Sequence, residues 1–371
     1  MIVAAGRGSM APDSRLPSAD VTDHPSVRDR IRAAIADHGP ISFAEFMEIA
    51  LYSPGGFYDR PPVGEGGHFV TSPHVDPAFA TCLAVAIRKA WETLDRPEPF
   101  TLIEVGAGDG TLARQLLAEL RNLPLEYIAV DRSGGARKAL AELPVTLAPS
   151  LETVREEIEG VVLANELLDN LPFHRIRRTR RGAVEVRVGL KDGQLVEVAT
   201  PCNRELEPLA RPISPGQEKA VSPDALATID RVARVLRRGY ALFIDYGADA
   251  GVQAFRSHQR TGILASPGSA DITAGVDFDA LASRATEWGL SVWPLLLQSE
   301  ALSMLGFVEM MQVERRRQVV ASLEKRSGRA AVEAWSRRNR AQELVDPDRL
   351  GGLWWMWLAK GVDWWSGFPM A

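Results

Sequence analysis

Cysteine is almost missing from this chain: Cys82 and Cys202 are the only two among 371 residues, far apart and without histidine partners nearby. That excludes a disulfide framework and a Cys/His zinc site, and the plain expectation is a reducing, cytoplasmic compartment. No apolar run reaches the roughly 20 residues that cross a bilayer, so no membrane embedding is expected. A basic excess is lacking as well, since 43 Lys and Arg stand against 48 Asp and Glu for a formal net charge of -5. Proteins that depend on phosphate contacts carry a basic balance, so no nucleic-acid partner is expected. His68, His74, His174 and His258 are scattered. They form neither a Ser-His-Asp set nor a metal-ligand cluster, and no metal is expected. Internal repeats and low-complexity tracts are absent too.

What is present is ordinary globular material, 46% hydrophobic and 25% charged residues, ample for a core. Residues 1–24 are the exception. Small and polar types dominate there, Met1 to Ala5 is too short for a signal-peptide core, and a disordered tail is expected, with Met10 an alternative start to Met1.

The most informative stretch is Ile103-Glu104-Val105-Gly106-Ala107-Gly108-Asp109-Gly110-Thr111. An apolar strand from Phe100 ends in an acid, turns through three alternate glycines and enters a helix that carries Leu112, Leu116 and Leu117 on one stripe. Strand, tight turn and helix in that order open a doubly wound sheet and suit a nucleotide-type cofactor. A dinucleotide fingerprint wants its third glycine where Thr111 stands, and Asp109 inside the turn would repel a pyrophosphate. S-adenosylmethionine has no phosphate. Its ammonium suits Glu104 and its carboxylate suits the glycine amides. The next apolar run, Tyr127 to Val130, ends at Asp131, where a second-strand carboxylate can accept from both ribose hydroxyls.

Along the chain, residues 25–97 read as an N-terminal helical cap and a binding loop. Its helices break at Gly39-Pro40, with Ser42 placed to cap the second. The long glycine-rich loop made of Tyr52 to Tyr58 and then Gly64 to Pro73 is of the kind kept for binding. Residues 98–250 alternate strands and helices: Val145–Leu147, Val161–Ala164 and Ala241–Asp245 as strands, Ala225–Leu236 as a helix. The fold class is therefore α/β, a doubly wound, mostly parallel sheet with helical cap insertions. Phe173 to Val198 interrupts as a β-excursion (173–199) turned at Arg181-Gly182 and Asp192-Gly193, its arginines read as a solvated strand surface. Residues 251–345 read as a cap insertion and helices. Residues 346–371 supply a final buried strand at Leu353 to Ala359, followed by Trp364, Trp365 and Phe368 as packed aromatics.

In an open parallel sheet the ligand lies beyond the carboxyl ends of the strands. After the fourth strand comes Asn165-Glu166-Leu167-Leu168-Asp169-Asn170. Glu166 and Asp169, three apart, fit one face of a helical turn and form a cradle for a cationic acceptor.

Together with Gly67 to Pro73, Ile244 to Gly247, Ser266 to Phe278 and Gln298 to Gly306, these motifs resemble the MidA family, which includes a mitochondrial complex I assembly factor that methylates arginine in a partner subunit. The resemblance implies a class I methyltransferase, Rossmann-like fold, its cap built from the N-terminal helices, the Phe255 to Phe278 region and the helices before Trp354. It implies that Thr71, Ser72 and Pro73 line the pocket for S-adenosyl-L-methionine and that Glu104, Gly106, Ala107, Gly108, Gly110 and Asp131 hold it. Asn165, Glu166 and Asp169 then face the acceptor, an arginine on a partner protein. A small metabolite as acceptor, or a non-catalytic cofactor-binding assembly factor, are the alternatives. His68 and His74 stand where the family usually has acids, which removes negative charge beside a site meant for a cation.

Overall fold

A computed structural model describes residues 25–59, 71–209, 213–256, 259–323, 336 and 339–364. The tail expected at 1–24, His68 with its stretch of the glycine-rich loop, and Trp365 and Phe368 lie outside the described residues.

Helix α1 (Val27–His38) starts on Ser26, whose hydroxyl accepts from Asp29 N–H, and α2 (Phe43–Met47) starts on Ser42, which accepts from Glu45 N–H. Each cap satisfies an amide that a helix start otherwise leaves bare. The short α3 (Ser72–Val75) and the long α4 (Ala78–Thr93) precede the first sheet strand. Then β1 (Phe100–Val105), α5 (Thr111–Glu119), β2 (Leu125–Val130), α6 (Gly134–Leu140), β3 (Thr146–Ala148) and β4 (Ile158–Asn165) alternate as expected. The excursion comprises β5 (His174–Thr179), β6 (Gly182–Lys191), β7 (Gln194–Pro201) and an unforeseen β8 (Glu218–Val221), joined as an antiparallel sheet in the order β7-β6-β5-β8. The core resumes with α7 (Pro223–Val235) and β9 (Leu236–Asp245). A small sheet of β10 (Val252–Arg256), β11 (Gln259–Arg260) and β12 (Asp271–Ala274) follows, then α8 (Phe278–Glu287), β13 (Ser291–Val292), β14 (Leu296–Leu297), α9 (Gln298–Met304), α10 (Phe307–Leu323) and β15 (Trp354–Lys360).

The main sheet runs β13-β15-β9-β4-β1-β2-β3, with β14 also on β15. Its five central strands are parallel, and β15 pairs antiparallel with β9. Side chains alternate between the faces, as strand geometry requires. Leu102, Leu163, Leu242 and Trp355 pack with α4, α5 and α9, whereas Ile103, Val162, Phe243 and Met356 pack with α7 and α8. Coverage on both faces makes the doubly wound architecture. Strand β9 begins five residues earlier than Ala241, because Gly239 and Gly160 let the two backbones approach. A Cβ at Gly239 would sit 2.0 Å from the Gly160 carbonyl oxygen.

The N-terminal helices form their own core, Ile31, Phe43 and Phe46 meeting Phe173, Val188 of β6 and Ile272 of β12. The cap is thus shared by α1, α2, the excursion and β10–β12. Of the helices before Trp354, α9 and the start of α10 lie elsewhere among the described residues: Ala301, Leu302 and Phe307 join the sheet core beside α4. The solvated surface expected of the excursion's arginines holds for Arg180 and Arg181, which are exposed, but not for Arg175. Arg175 is buried, bonded to Glu197 and Glu218 and set 5.0 Å over the Phe43 ring, and Arg177 pairs with Glu218. Trp364 packs on Tyr240 and Trp293, as expected of a packed aromatic. No described helix is long and apolar enough to cross a membrane.

Candidate active site

Strand β1 is central, with β2 on one side and β4 on the other, so the carboxyl ends of β1, β2 and β4 diverge around one crevice. In the turn after β1, Gly106, Gly108 and Gly110 all take positive φ (75, 56 and 77°), a region glycine enters without penalty. The three glycine amides of this turn are already engaged, as are those of Ala107 and Thr111. Gly106 and Ala107 donate to the Val130 carbonyl, Gly108 donates to Asp131 Oδ2, Gly110 donates to the Ala107 carbonyl and Thr111 donates to Asp109 Oδ1. This corrects the expectation that the glycine amides take a ligand carboxylate. Gly106 is needed for a second reason, since a Cβ there would lie 2.8 Å from Leu167 Cδ1. Gly110 lies off the cavity wall, over Leu140 and Leu143.

Glu104 is buried, and its one bonded partner is the neutral Tyr127 hydroxyl, 2.5 Å from Oε2. Burial pushes this carboxyl up to about 8 despite that bond, with Asp131 and Asp109 adding to the rise. A cationic ligand would relieve it. Asp131 spends one oxygen on Gly108 and the other on Ser133 N–H; burial lifts it, and those amides oppose the lift.

Helix α3 ties the two ends of the crevice together. His74 bonds Thr71 Oγ1 through Nδ1 and Asp109 Oδ2 through Nε2, at 2.8 and 3.0 Å. Burial works to raise Asp109, but His74 and the Thr111 amide outweigh it and hold the carboxyl below its ordinary value. Gln115 of α5 donates to the Pro73 carbonyl, and Ser72 N–H donates to Glu166 Oε1 at 3.0 Å. Thr71 and Pro73 line the crevice. Ser72 does not: it is fully buried, its hydroxyl against Gln298.

At the end of β4 the expected helical face does not form. Glu166 sits at φ 51°, a left-handed kink, and only Leu168–Asn170 makes a single 3-10 turn. The turn is capped from another strand. Asp245, at the end of β9, accepts from the amides of Leu167, Leu168 and Asp169 on Oδ2 and from Tyr246 on Oδ1. Glu166 Oε1 also accepts from Asn165 Nδ2 at 3.2 Å. Asn165 Oδ1 and Asp169 Oδ1 are buried with no protein partner.

Sequence reasoning assigned no site role to several residues gathered here. Asp271 of β12 accepts from the Tyr58 hydroxyl and from Asn170 Nδ2. Tyr52 stacks on Tyr58 at 5.4 Å, and the Arg132 guanidinium, paired with Glu48, lies 3.5 Å over the Tyr52 ring. Asp245 carried one local signal, an acid closing an apolar strand as Glu104 and Asp131 do. Tyr52 and Tyr58 fall in the loop read as one kept for binding, with no individual role assigned. Together these elements enclose a cavity of about 810 Å³ lined by Thr71, Glu104, Asp131, Asn165, Asp169 and Asp271 among others, within the range of small-molecule sites. Burial raises Glu166, Asp169 and Asp245, the last two also pushed by neighbouring carboxylates, and lifts Asp271 to about 6. No group of His, Cys, Asp and Glu suited to a metal occurs among the described residues.

Three comparisons bear on this crevice. A family model of S-adenosyl-L-methionine-dependent methyltransferases matches residues 82–294. A crystallised protein from Burkholderia thailandensis with S-adenosyl-homocysteine bound superposes with a TM-score of 0.79 at 28% identity, covering 92% of this chain and 93% of that one. The mitochondrial protein arginine methyltransferase NDUFAF7 of Mus musculus is 30% identical over 305 residues, 70% of each chain. The Drosophila melanogaster homologue is 29% identical over 324 residues, 74% of each.

Proposed function

Because the chain belongs to the MidA-like family of S-adenosyl-L-methionine-dependent methyltransferases, we propose that its acceptor is an arginine side chain on a partner protein. The cofactor supplies an electrophilic methyl group on a sulfonium and departs as a neutral thioether. In this reading Glu104 takes the ammonium of the cofactor, and Asp131 takes ribose hydroxyls with the lone pairs it does not give to Gly108 and Ser133. Thr71, Pro73 and the Gly106-Ala107-Gly108 backbone wall the donor. Ser72 and Gly110 serve from behind the wall, Ser72 through Glu166. Asn165, Glu166 and Asp169 stand at the acceptor end.

The observation that carries the proposal is the pair of buried, unpartnered acceptor oxygens on Asn165 and Asp169 in a cavity rich in carboxylates, which calls for a ligand with N–H donors and positive charge. Transfer forms a bond from the methyl carbon to a guanidinium nitrogen as the sulfur–carbon bond breaks. The proton lost by that nitrogen passes to the Asp169 carboxylate. Alignment of donor and acceptor and neutralisation of charge are the main contributions asked of the site. The protein names of the relatives support the same acceptor. His74 is engaged by Thr71 and Asp109, and its charge helps hold Glu166 down against the burial that raises it, so the histidine favours the carboxylate form of an acid at the acceptor end.

Incubation of the protein with methyl-labelled cofactor and a cell extract, followed by acid hydrolysis and chromatography, tests the proposal. Label in methylarginine of a protein fraction is the expected result. Label confined to small molecules would replace arginine with a metabolite.

A further inference from the structure

Buried polar atoms without partners are rare in folded proteins and ask for an explanation. Gln115 Oε1, Asn165 Oδ1 and Asp169 Oδ1 are such atoms, and of these residues Asn165 and Asp169 line the crevice, Asp169 only 6% exposed. Asn165 Oδ1 can only accept, and the Asp169 carboxyl accepts through both oxygens once a bound cation draws off its proton. Their neighbours are engaged: Asp245 caps three amides, Asp271 holds Tyr58 and Asn170, and Glu166 Oε1 holds both Ser72 N–H and Asn165 Nδ2. The bond to Glu166 also fixes the Asn165 amide, because the opposite orientation would set an oxygen against the Glu166 carboxylate. Its Oδ1 therefore faces away from Glu166.

We infer that the acceptor is held by two N–H donors of one flat cation, one donating to Asp169 Oδ1 and one to Asn165 Oδ1, while Glu166 acts as a positioning residue that orients Asn165. The inference rests on the reading of this crevice as the methyl-acceptor site and goes further by dividing the three residues into two contacts and one support. A guanidinium presents its N–H groups in a plane and satisfies both oxygens. A quaternary ammonium has no N–H to give, and a hydroxyl has one. Both would leave a buried acceptor unpaired, at a cost that discriminates strongly between ligands.

The test is a titration of full-length protein saturated with S-adenosylhomocysteine, with methylguanidinium chloride as the probe and tetramethylammonium chloride as the comparison. Methylguanidinium should bind at least tenfold more tightly than tetramethylammonium. Asp169→Asn and Asn165→Leu should each weaken methylguanidinium tenfold or more while the S-adenosylhomocysteine Kd, which also reports folding, changes less than threefold. For Glu166 the conservative and the truncating variants should part. Glu166→Gln keeps an acceptor oxygen for Ser72 and Asn165 and should retain methylguanidinium affinity within threefold, whereas Glu166→Ala should lose it. Equal binding of the two probes, unchanged affinity in Asp169→Asn, or a loss in Glu166→Gln as large as in Asp169→Asn would overturn this assignment and leave the methyltransferase reading standing. Failure of S-adenosylhomocysteine to bind the wild-type protein would overturn both.

Discussion

A carboxyl group buried as deeply as Glu104 keeps its proton to unusually high pH, and a ligand that requires the carboxylate must remove it. Without ligand, the folded state holds that proton between the ordinary value of 4.5 and about 8. The unfolded chain has already released it in that window. The stability this group contributes is therefore complete below the lower value and is lost as pH rises through the upper one. Binding of a cationic cofactor runs the other way. It releases the proton, so affinity for S-adenosylhomocysteine should rise by up to about tenfold per pH unit from pH 6 toward 8 and level off above. In Glu104→Gln the affinity should be weaker and this slope should vanish, as calorimetric titrations across that range would record. A slope that persists in the variant would remove Glu104 from the ammonium contact. At this scale the sequence was informative where the chemistry is local: Glu104 and Asp131 each close an apolar strand. It placed Tyr58 in a binding loop but gave no sign of its partner Asp271, 213 positions away, whose meeting only the folded chain brings about.

Among the elements, the segment from Asn165 to Asp169 shows strain and its compensation side by side. Glu166 at φ 51° costs on the order of 1–3 kcal/mol in a non-glycine residue. Its side-chain bond to Ser72 and the Asp245 cap over the next three amides hold it there. Asp245→Asn exchanges one of two accepting oxygens for a donor, so one set of amides faces an N–H group. About 2 kcal/mol of stability should be lost in denaturant titration, the usual order for a buried group left without its partner. The acceptor KM should rise several-fold as the turn loosens, with the S-adenosylhomocysteine Kd little changed. An unaltered KM would mean that the turn keeps its shape without the cap. The three-residue spacing of Glu166 and Asp169 was read as helical because spacing is all a sequence offers. The left-handed kink depends on a carboxylate from β9, 76 to 78 positions away. Ser42, Gly39 and the Asp192-Gly193 turn, by contrast, were legible because capping and tight turns are settled within a few residues.

For the molecule as a whole, the alternation of apolar strands with amphipathic helices carried the doubly wound sheet, and the long apolar run at Trp354 to Ala359 carried its antiparallel member. The composition of the cap was harder to read. Its core joins α1 and α2 to Phe173, Val188 and Ile272, contacts across well over a hundred positions that no local pattern announces. That shared core sets Tyr52, Tyr58 and Asp271 over the strand ends, so the cap supplies one wall of the crevice and the sheet the other. The most direct test is a crystal structure of the protein with S-adenosylhomocysteine. We expect the amino group of the ligand at Glu104, its ribose at Asp131 and its sulfur facing Asn165 and Asp169. Ligand density elsewhere, or with the ribose at Glu104 and the amino group at Asp131, would contradict the account.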